Sequence, residues 1–357
     1  MTDSRWQKSV EWNQAGGGSV RGHRVHDVCI FGAGPAGLAV SARLIEKGRD
    51  VIVLERCSKV RGWGGESFTG AIRAPLAALG LWDSFTHAGH VAGYERQCAW
   101  GGEPQTDDAI FHPQGASWHV DRDRFDSDLR TALRQRADIF SRYIRLETIA
   151  RDSGVWRITL DGQVELRAKY LVDATGRNRV LARRLGAHVA FHDRLIGLTA
   201  EVFTDESDAD IRSMLIAATP FGWWYAAPTP KGHVVALFTD PDLVPRDVRR
   251  RLRPVAANSA FTHAKAGQGW MPVGDAYASH DPLCGWGVHR AMDHGLRLAD
   301  AIDAHLVCGE AVLLEQFRDH CQWQYEAYLK GLSDRYAMER RWPTAPFWKR
   351  RHPQASA

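Results

Sequence analysis

Val28-Cys29-Ile30-Phe31-Gly32-Ala33-Gly34-Pro35-Ala36-Gly37 constrains this chain more than any other stretch. A short apolar run leads straight into G-x-G-x-x-G, and eighteen residues later Glu55 ends a second apolar run, Val51-Ile52-Val53-Leu54. That is the pattern of a βαβ unit that holds a dinucleotide. Gly32 allows the tight turn, and Gly34 lets backbone approach a pyrophosphate. Gly37 lets the helix beginning at Ala36 lie close on the strand. The helix N-terminus offers unpaired N–H groups and a partial positive charge to phosphates. Glu55, followed by Arg56, stands where a carboxylate accepts the ribose hydroxyls of an adenosine. The motif alone leaves open which dinucleotide is bound.

At 357 residues the chain is long enough for a large core shared by interleaved domains. Its net charge of +4 is small for this length and argues against a nucleic-acid binder. Arg340, Arg341, Lys349, Arg350 and Arg351 do cluster, but Trp342, Phe347 and Trp348 are interleaved with them. This predicts a packed C-terminal segment. No apolar run is long enough to span a bilayer, and residues 1–24 lack the apolar stretch of a secretory signal. The six cysteines are scattered without C-x-x-C spacing. A reduced, cytoplasmic protein with no structural metal is expected.

Organisation follows from pattern. Residues 1–24 read as a disordered lead. The fold class expected is α/β: a Rossmann-type domain from 25–90, 100–185 and 266–310, interleaved with an antiparallel-sheet substrate domain at 186–265. A helical, aromatic segment at 311–357 closes the chain. Within this frame, 121–135 reads as a helix with Phe125, Leu129 and Leu133 on one face, and 143–171 as a hairpin or three-stranded meander turning at Asp161-Gly162.

A second anchor decides the cofactor. Val273-Gly274-Asp275-Ala276 follows an apolar strand some 240 residues after the first glycines. Pro282-Leu283-Cys284-Gly285-Trp286-Gly287 then opens a long helix. Asp275 would accept hydroxyls of a ribityl chain, and the helix would aim its positive end at a flavin, where reduced flavin carries negative charge. A Gly-Asp pair alone is usually a turn. Between a buried strand and a Gly-opened helix, and beside the N-terminal motif, it points to FAD.

These residues, with Leu54-Glu55-Arg56 and Asp173-Ala174-Thr175-Gly176-Arg177, resemble the p-hydroxybenzoate hydroxylase superfamily of FAD monooxygenases. Gly65-Glu66-Ser67, Trp118 to Asp126, Gly222 to Pro228 and Glu339 to Trp348 are similar to one branch of it. That branch contains the flavin-dependent tryptophan halogenases and the flavoproteins that mature tryptophylquinone cofactors. The resemblance runs from about residue 26 to 352, and Glu339-Arg340-Arg341-Trp342-Pro343…Phe347-Trp348 is closest to the maturation flavoproteins. It implies that Arg122 lies beside FAD; pairing with Asp126 one helical turn away is the alternative. It also implies that the loop of Glu66 and Ser67 runs along the isoalloxazine, unless that loop is simply solvated.

The halogenases carry a lysine after the G-E-S-type loop. Here no lysine stands between Lys59 and Lys169, and the corresponding stretch, 91–101, offers Arg96, whose permanent charge cannot replace it. The resemblance therefore implies hydroxylation of an electron-rich, indole-type ring through a flavin C4a-hydroperoxide, with the substrate free or within a partner polypeptide. Trp223, Tyr225, Cys284 and Trp286 are candidate lining, although strand alternation turns either Trp223 or Trp224 away. Glu66, His280, Asp281 and His289 are candidates for proton transfer. No second dinucleotide motif is visible, so the expectation is that a separate reductase supplies electrons or that NAD(P)H binds only weakly. A halogenase, a flavoprotein dehydrogenase or reductase, and a non-enzymatic flavin-holding partner or sensor remain as alternatives.

Overall fold

The computed structural model describes residues 24–56, 65–108, 114–134, 140–143, 145–161, 164–203, 213–244, 246, 248 and 252–352. The expected lead up to residue 23, Lys59 and the Gly162 position of the expected turn lie outside these residues.

One sheet carries the dinucleotide motif. Its parallel strands run in the order Phe140–Tyr143, Val51–Arg56, Val25–Phe31, Val164–Asp173, with Trp270–Pro272 added beside the last. Val25–Phe31 is apolar along its second half because both faces there are covered, as parallel strands require. The long strand Val164–Asp173 forks. Its first half pairs antiparallel with Val155–Leu160, and Leu146–Asp152 completes the expected meander. Its second half pairs with Val25–Phe31 on one side and Trp270–Pro272 on the other. Phe31 lies opposite Asp173, and Asp173 opposite Pro272. Three adjacent strands therefore end together, and Gly32, Thr175 and Gly274 follow from their carboxyl ends. That is where open α/β sheets bind ligands.

The helix Pro35–Glu46 begins with Pro at its first turn. It is crossed closely by Gly287–Cys308: a Cβ on Gly295 would stand 2.7 Å from Ala39 Cβ and 2.8 Å from the Ala36 carbonyl oxygen. Any larger residue there would push the helices apart. This crossing brings the start of the late helix over the start of the first one, 250 residues away in sequence.

The second large sheet is mainly antiparallel, in the order Arg253–Ala256, Ile196–Phe203, Gly232–Thr239, Gly222–Thr229, Met214–Thr219, Glu95–Ala99, Gln105–Asp108. Here the sequence reading needs correction. Gln105–Asp108 lies in the 100–185 stretch assigned to the cofactor domain, yet it continues the second sheet through Glu95–Ala99, which pairs in parallel with Met214–Thr219. A small sheet of Gly65–Phe68, Ser117–Asp121 and Val91–Gly93 packs against Gly222–Thr229 and Gly232–Thr239 of the second large sheet. The C-terminal helix Val312–Ala337 runs along Gly287–Cys308, and the segment after it packs on the second sheet.

Candidate active site

A cavity of about 440 Å³ opens where these sheets meet. Its floor is the start of the first helix, with Gly34, Pro35 and Ala36 in the lining. Gly32 adopts φ 105°, and a Cβ on it would stand 2.3 Å from the Ala174 carbonyl oxygen. A Cβ on Gly37 would stand 2.0 Å from the Gly32 carbonyl oxygen. Both glycines are demanded by backbone contact. Gly34 differs, because a Cβ there meets nothing within 4 Å. Its space is open for a ligand, as the pyrophosphate role requires. Glu55 accepts the Ala33 N–H at 2.5 Å, so its carboxylate is held at the glycine turn. Arg56 ends the same strand and is exposed.

Opposite, the chain turns through Pro282–Cys284 into Gly285, at φ 63°, and Trp286, which precedes the helix Gly287–Cys308. Cys284, Gly285, Trp286 and Gly287 all line the cavity, beneath the positive end of that helix. Asp275 lines it as well, next to Gly274, whose φ is 59°. Arg177 fastens this side. Its guanidinium meets Asp275 at 3.2 Å and donates to the carbonyl oxygens of Asn258 at 2.5 Å and His280 at 2.7 Å. The turn that carries Arg177 is shaped by buried Asp173, which accepts the Thr175 N–H and hydroxyl and the Ala182 N–H.

Another wall of the cavity comes from strand alternation. Trp223 and Tyr225 share the cavity face of Gly222–Thr229, whereas Trp224 packs against Leu198, Leu237 and Val244 behind the sheet. Trp223 is 1% exposed, stacked on Phe238 at 4.1 Å and enclosed by Trp100, Tyr336 and Trp348. It is a wall more than a surface. The Tyr225 hydroxyl donates to Ser67 Oγ at 2.7 Å, and Ser67 Oγ meets His119 Nδ1 at 2.6 Å. Burial pushes the Tyr225 phenol upward, which keeps its proton in place.

Arg122 lines the cavity and grips both Glu66 and Asp126, the latter at 3.2 Å. The Asp126 pairing considered from sequence is present, and Arg122 also lines the cavity, where its guanidinium holds Glu66 at the edge. The other proton-transfer candidates are placed differently. The His280 ring packs at 4.4 Å from Tyr328 and 5.5 Å from Tyr325, and burial holds its pKa well below the ordinary range. Asp281 is 2% exposed and both its oxygens are engaged, one by the Leu283 N–H at 2.9 Å and the other by the Tyr336 hydroxyl at 2.7 Å. It shapes the Pro282–Cys284 turn. His289 lies on the helix beside Trp286, ring to ring at 5.2 Å.

His119, Arg177 and Tyr336 were not picked out as site residues. His119 shares an alternation face with Ser117, which lines the cavity, so its placement was readable from the strand pattern. Tyr336 has no local signal. The Glu339 to Trp348 stretch acts from outside the cavity. Glu339, fully buried, accepts the Gly101 N–H at 2.9 Å and clamps Arg341, while Trp348 Nε1 donates to the Thr219 carbonyl at 2.7 Å.

No helix among the described residues is long and apolar enough to cross a membrane. A model of the FAD binding domain family matches residues 25–252. LodB of Marinomonas mediterranea, described as an FAD-dependent oxidoreductase, is 27% identical over 92% of this chain and 97% of its own length. The myxobacterial chondrochloren halogenase CndH superposes with TM-score 0.80 at 22% identity, covering 93% of this chain and 86% of that one. The peptidyl tryptophan dihydroxylase QhpG superposes with TM-score 0.73 at 21% identity, covering 93% and 80%. The last two are likenesses of fold. The open space at Gly34, the paired glycine turns at the strand ends and the helix terminus over the cavity all suit an extended dinucleotide. This chain belongs to the FAD binding domain family and is an FAD-dependent oxidoreductase.

Proposed function

We propose that this protein is a monooxygenase that hydroxylates an electron-rich aromatic ring of indole type carried on a polypeptide. The observation that carries this reading is the composition of the cavity. Its walls are aromatic and apolar around Trp223, Phe238 and Trp286, it holds the hydroxyl pair Tyr225–Ser67, and no lysine is among the described residues that line it. Arg96, in the stretch where the halogenases carry their lysine, stands at the cavity and is paired with Asp107 at 2.5 Å.

Gly32, Gly34, Ala36, Gly37, Glu55 and Arg56 would hold the adenosine and pyrophosphate. Arg122, Ser67, Gly274, Asp275, Gly285, Trp286 and Gly287 would hold the flavin half. When bound, reduced FAD supplies the activation of dioxygen. The chain itself does three things. Trp223, Cys284 and their neighbours exclude water and orient the ring. The Tyr225–Ser67–His119 chain carries a proton to or from the substrate side. Glu66, gripped by Arg122, fixes the loop at the cavity edge. Tyr94 lines the cavity and is 56% exposed, so the mouth is open to a bulky substrate. That opening, with the peptide substrate of QhpG, supports a polypeptide-borne ring.

The test is incubation of FAD-loaded protein with a separate flavin reductase, NADH, oxygen, bromide and tryptophan-containing peptides, read by mass spectrometry. Addition of one or two oxygen atoms supports hydroxylation. A bromine isotope pattern would make the protein a halogenase and overturn the proposal.

A further inference from the structure

Away from the cavity, the contact between helices Gly287–Cys308 and Val312–Ala337 gathers three side chains with metal-ligand chemistry. Asp293 and His294 come from the first helix and His320 from the second. One ligand atom from each lies within 4.8 Å of the others. His294 is 1% exposed, and its Nε2 meets Gln324 Oε1 at 2.7 Å. An amide oxygen only accepts, so Nε2 carries the proton and Nδ1 keeps its lone pair. A partner that fixes the tautomer in this way is what metal-ligating imidazoles regularly have. Cys321 Sγ stands 3.7 Å from that Nδ1.

His320 supplies a second observation. Its Nε2 is shielded from solvent and has no hydrogen-bond partner among the described residues. Burying such a nitrogen unpaired is costly, and native structures rarely leave one so. The donor set is two imidazoles and a carboxylate with a thiol beside them. It suits borderline divalent cations such as zinc, and not the oxygen-only shells of magnesium or calcium. Arg297 meets Asp293 Oδ2 at 2.8 Å from an exposed position, so its flexible side chain can leave as a cation enters.

We infer that Asp293, His294 and His320 form a site for a zinc-class divalent cation, which staples the two C-terminal helices together. The consequence reaches the cavity, because the helix Gly287–Cys308 begins on its wall. The inference does not depend on which reaction the flavin performs.

The test uses tag-free, FAD-loaded protein titrated with zinc chloride in competition with a chromophoric chelator. Expected are one zinc per chain with Kd at or below about 10 μM and a rise in thermal midpoint with zinc concentration. His320→Ala and Asp293→Asn should each weaken binding by about tenfold or more. His188→Ala, at the stacked His188–His263 pair elsewhere, should leave it unchanged. Neither test variant removes a fully buried side chain, and circular dichroism confirms that each folds. Absence of a single equivalent, equal affinity in the His320→Ala protein, or preference for magnesium would overturn the inference.

Discussion

The Tyr336 hydroxyl donates to Asp281 Oδ2 at 2.7 Å and receives the Trp223 Nε1–H at 3.1 Å. One phenol thus ties the C-terminal helix, the Pro282–Cys284 turn and the Trp223 wall of the cavity. Tyr336→Phe leaves a buried indole N–H without its acceptor and removes a donor from a buried carboxylate. The expected cost is about 1–3 kcal/mol, read by chemical denaturation. The near-UV circular dichroism of the Trp223 cluster should change with it.

The same carboxylate sets a pH dependence. Burial pushes the Asp281 carboxyl up from 3.8 to about 6. A group raised in this way contributes stability fully below its unfolded value, and that contribution is lost as pH rises through about 6. The thermal midpoint of the parent protein should therefore fall relative to Asp281→Asn as pH is raised through that window. Parallel curves for the two proteins would show that the carboxyl does not titrate there.

Two glycines of one motif should behave oppositely. Gly32→Ala places a Cβ 2.3 Å from a carbonyl oxygen at φ 105°, so the flavin-free protein itself should lose well over about 1 kcal/mol. Gly34→Ala meets no protein atom within 4 Å and should leave the flavin-free protein as stable as its parent. It should still weaken FAD binding, because the methyl group occupies ligand space. Fluorescence titration with FAD and a denaturation curve separate the two effects.

Removing the Tyr225 hydroxyl tests the proton chain. Tyr225→Phe and Ser67→Ala should each lower turnover by about 10²-fold, and Tyr225→Phe should leave FAD affinity within a small factor. Steady-state rates at saturating reductase, with substrate-dependent oxygen uptake, make the measurement. An unchanged rate in both variants would remove the chain from the mechanism.

At the C terminus, Glu339 is fully buried and satisfies the Gly101 N–H and Arg341 together. Glu339→Ala should cost about 1–3 kcal/mol and should loosen the segment that backs Trp223. Limited proteolysis near residue 340 reports this directly.

Much of this was legible along the chain. The glycine turn at 32, 34 and 37 and the Gly274-Asp275 turn are visible in the sequence because residue type and spacing along the chain mark them. Helices and the meander follow from periodicity, which is local. The second large sheet was read less completely. Glu95–Ala99 and Gln105–Asp108 are short, polar and exposed, and they belong to it only through pairing with Met214–Thr219, more than a hundred residues away. No pattern within either strand records that partner.

Side-chain roles divide along the same line. Sequence alone determined that the chain folds around a dinucleotide site, because close backbone approach needs glycine whatever surrounds it. Only the tertiary structure decided that Asp281 is committed to a turn and to Tyr336, and that Glu66 answers to Arg122. It also decided that the Glu339–Trp348 stretch braces the cavity from behind, and it brought His294 beside His320 across two helices. Each of these rests on a contact between residues far apart in the chain, and the distance dependence of hydrogen bonds and charge pairs gives such contacts meaning only once the fold has closed.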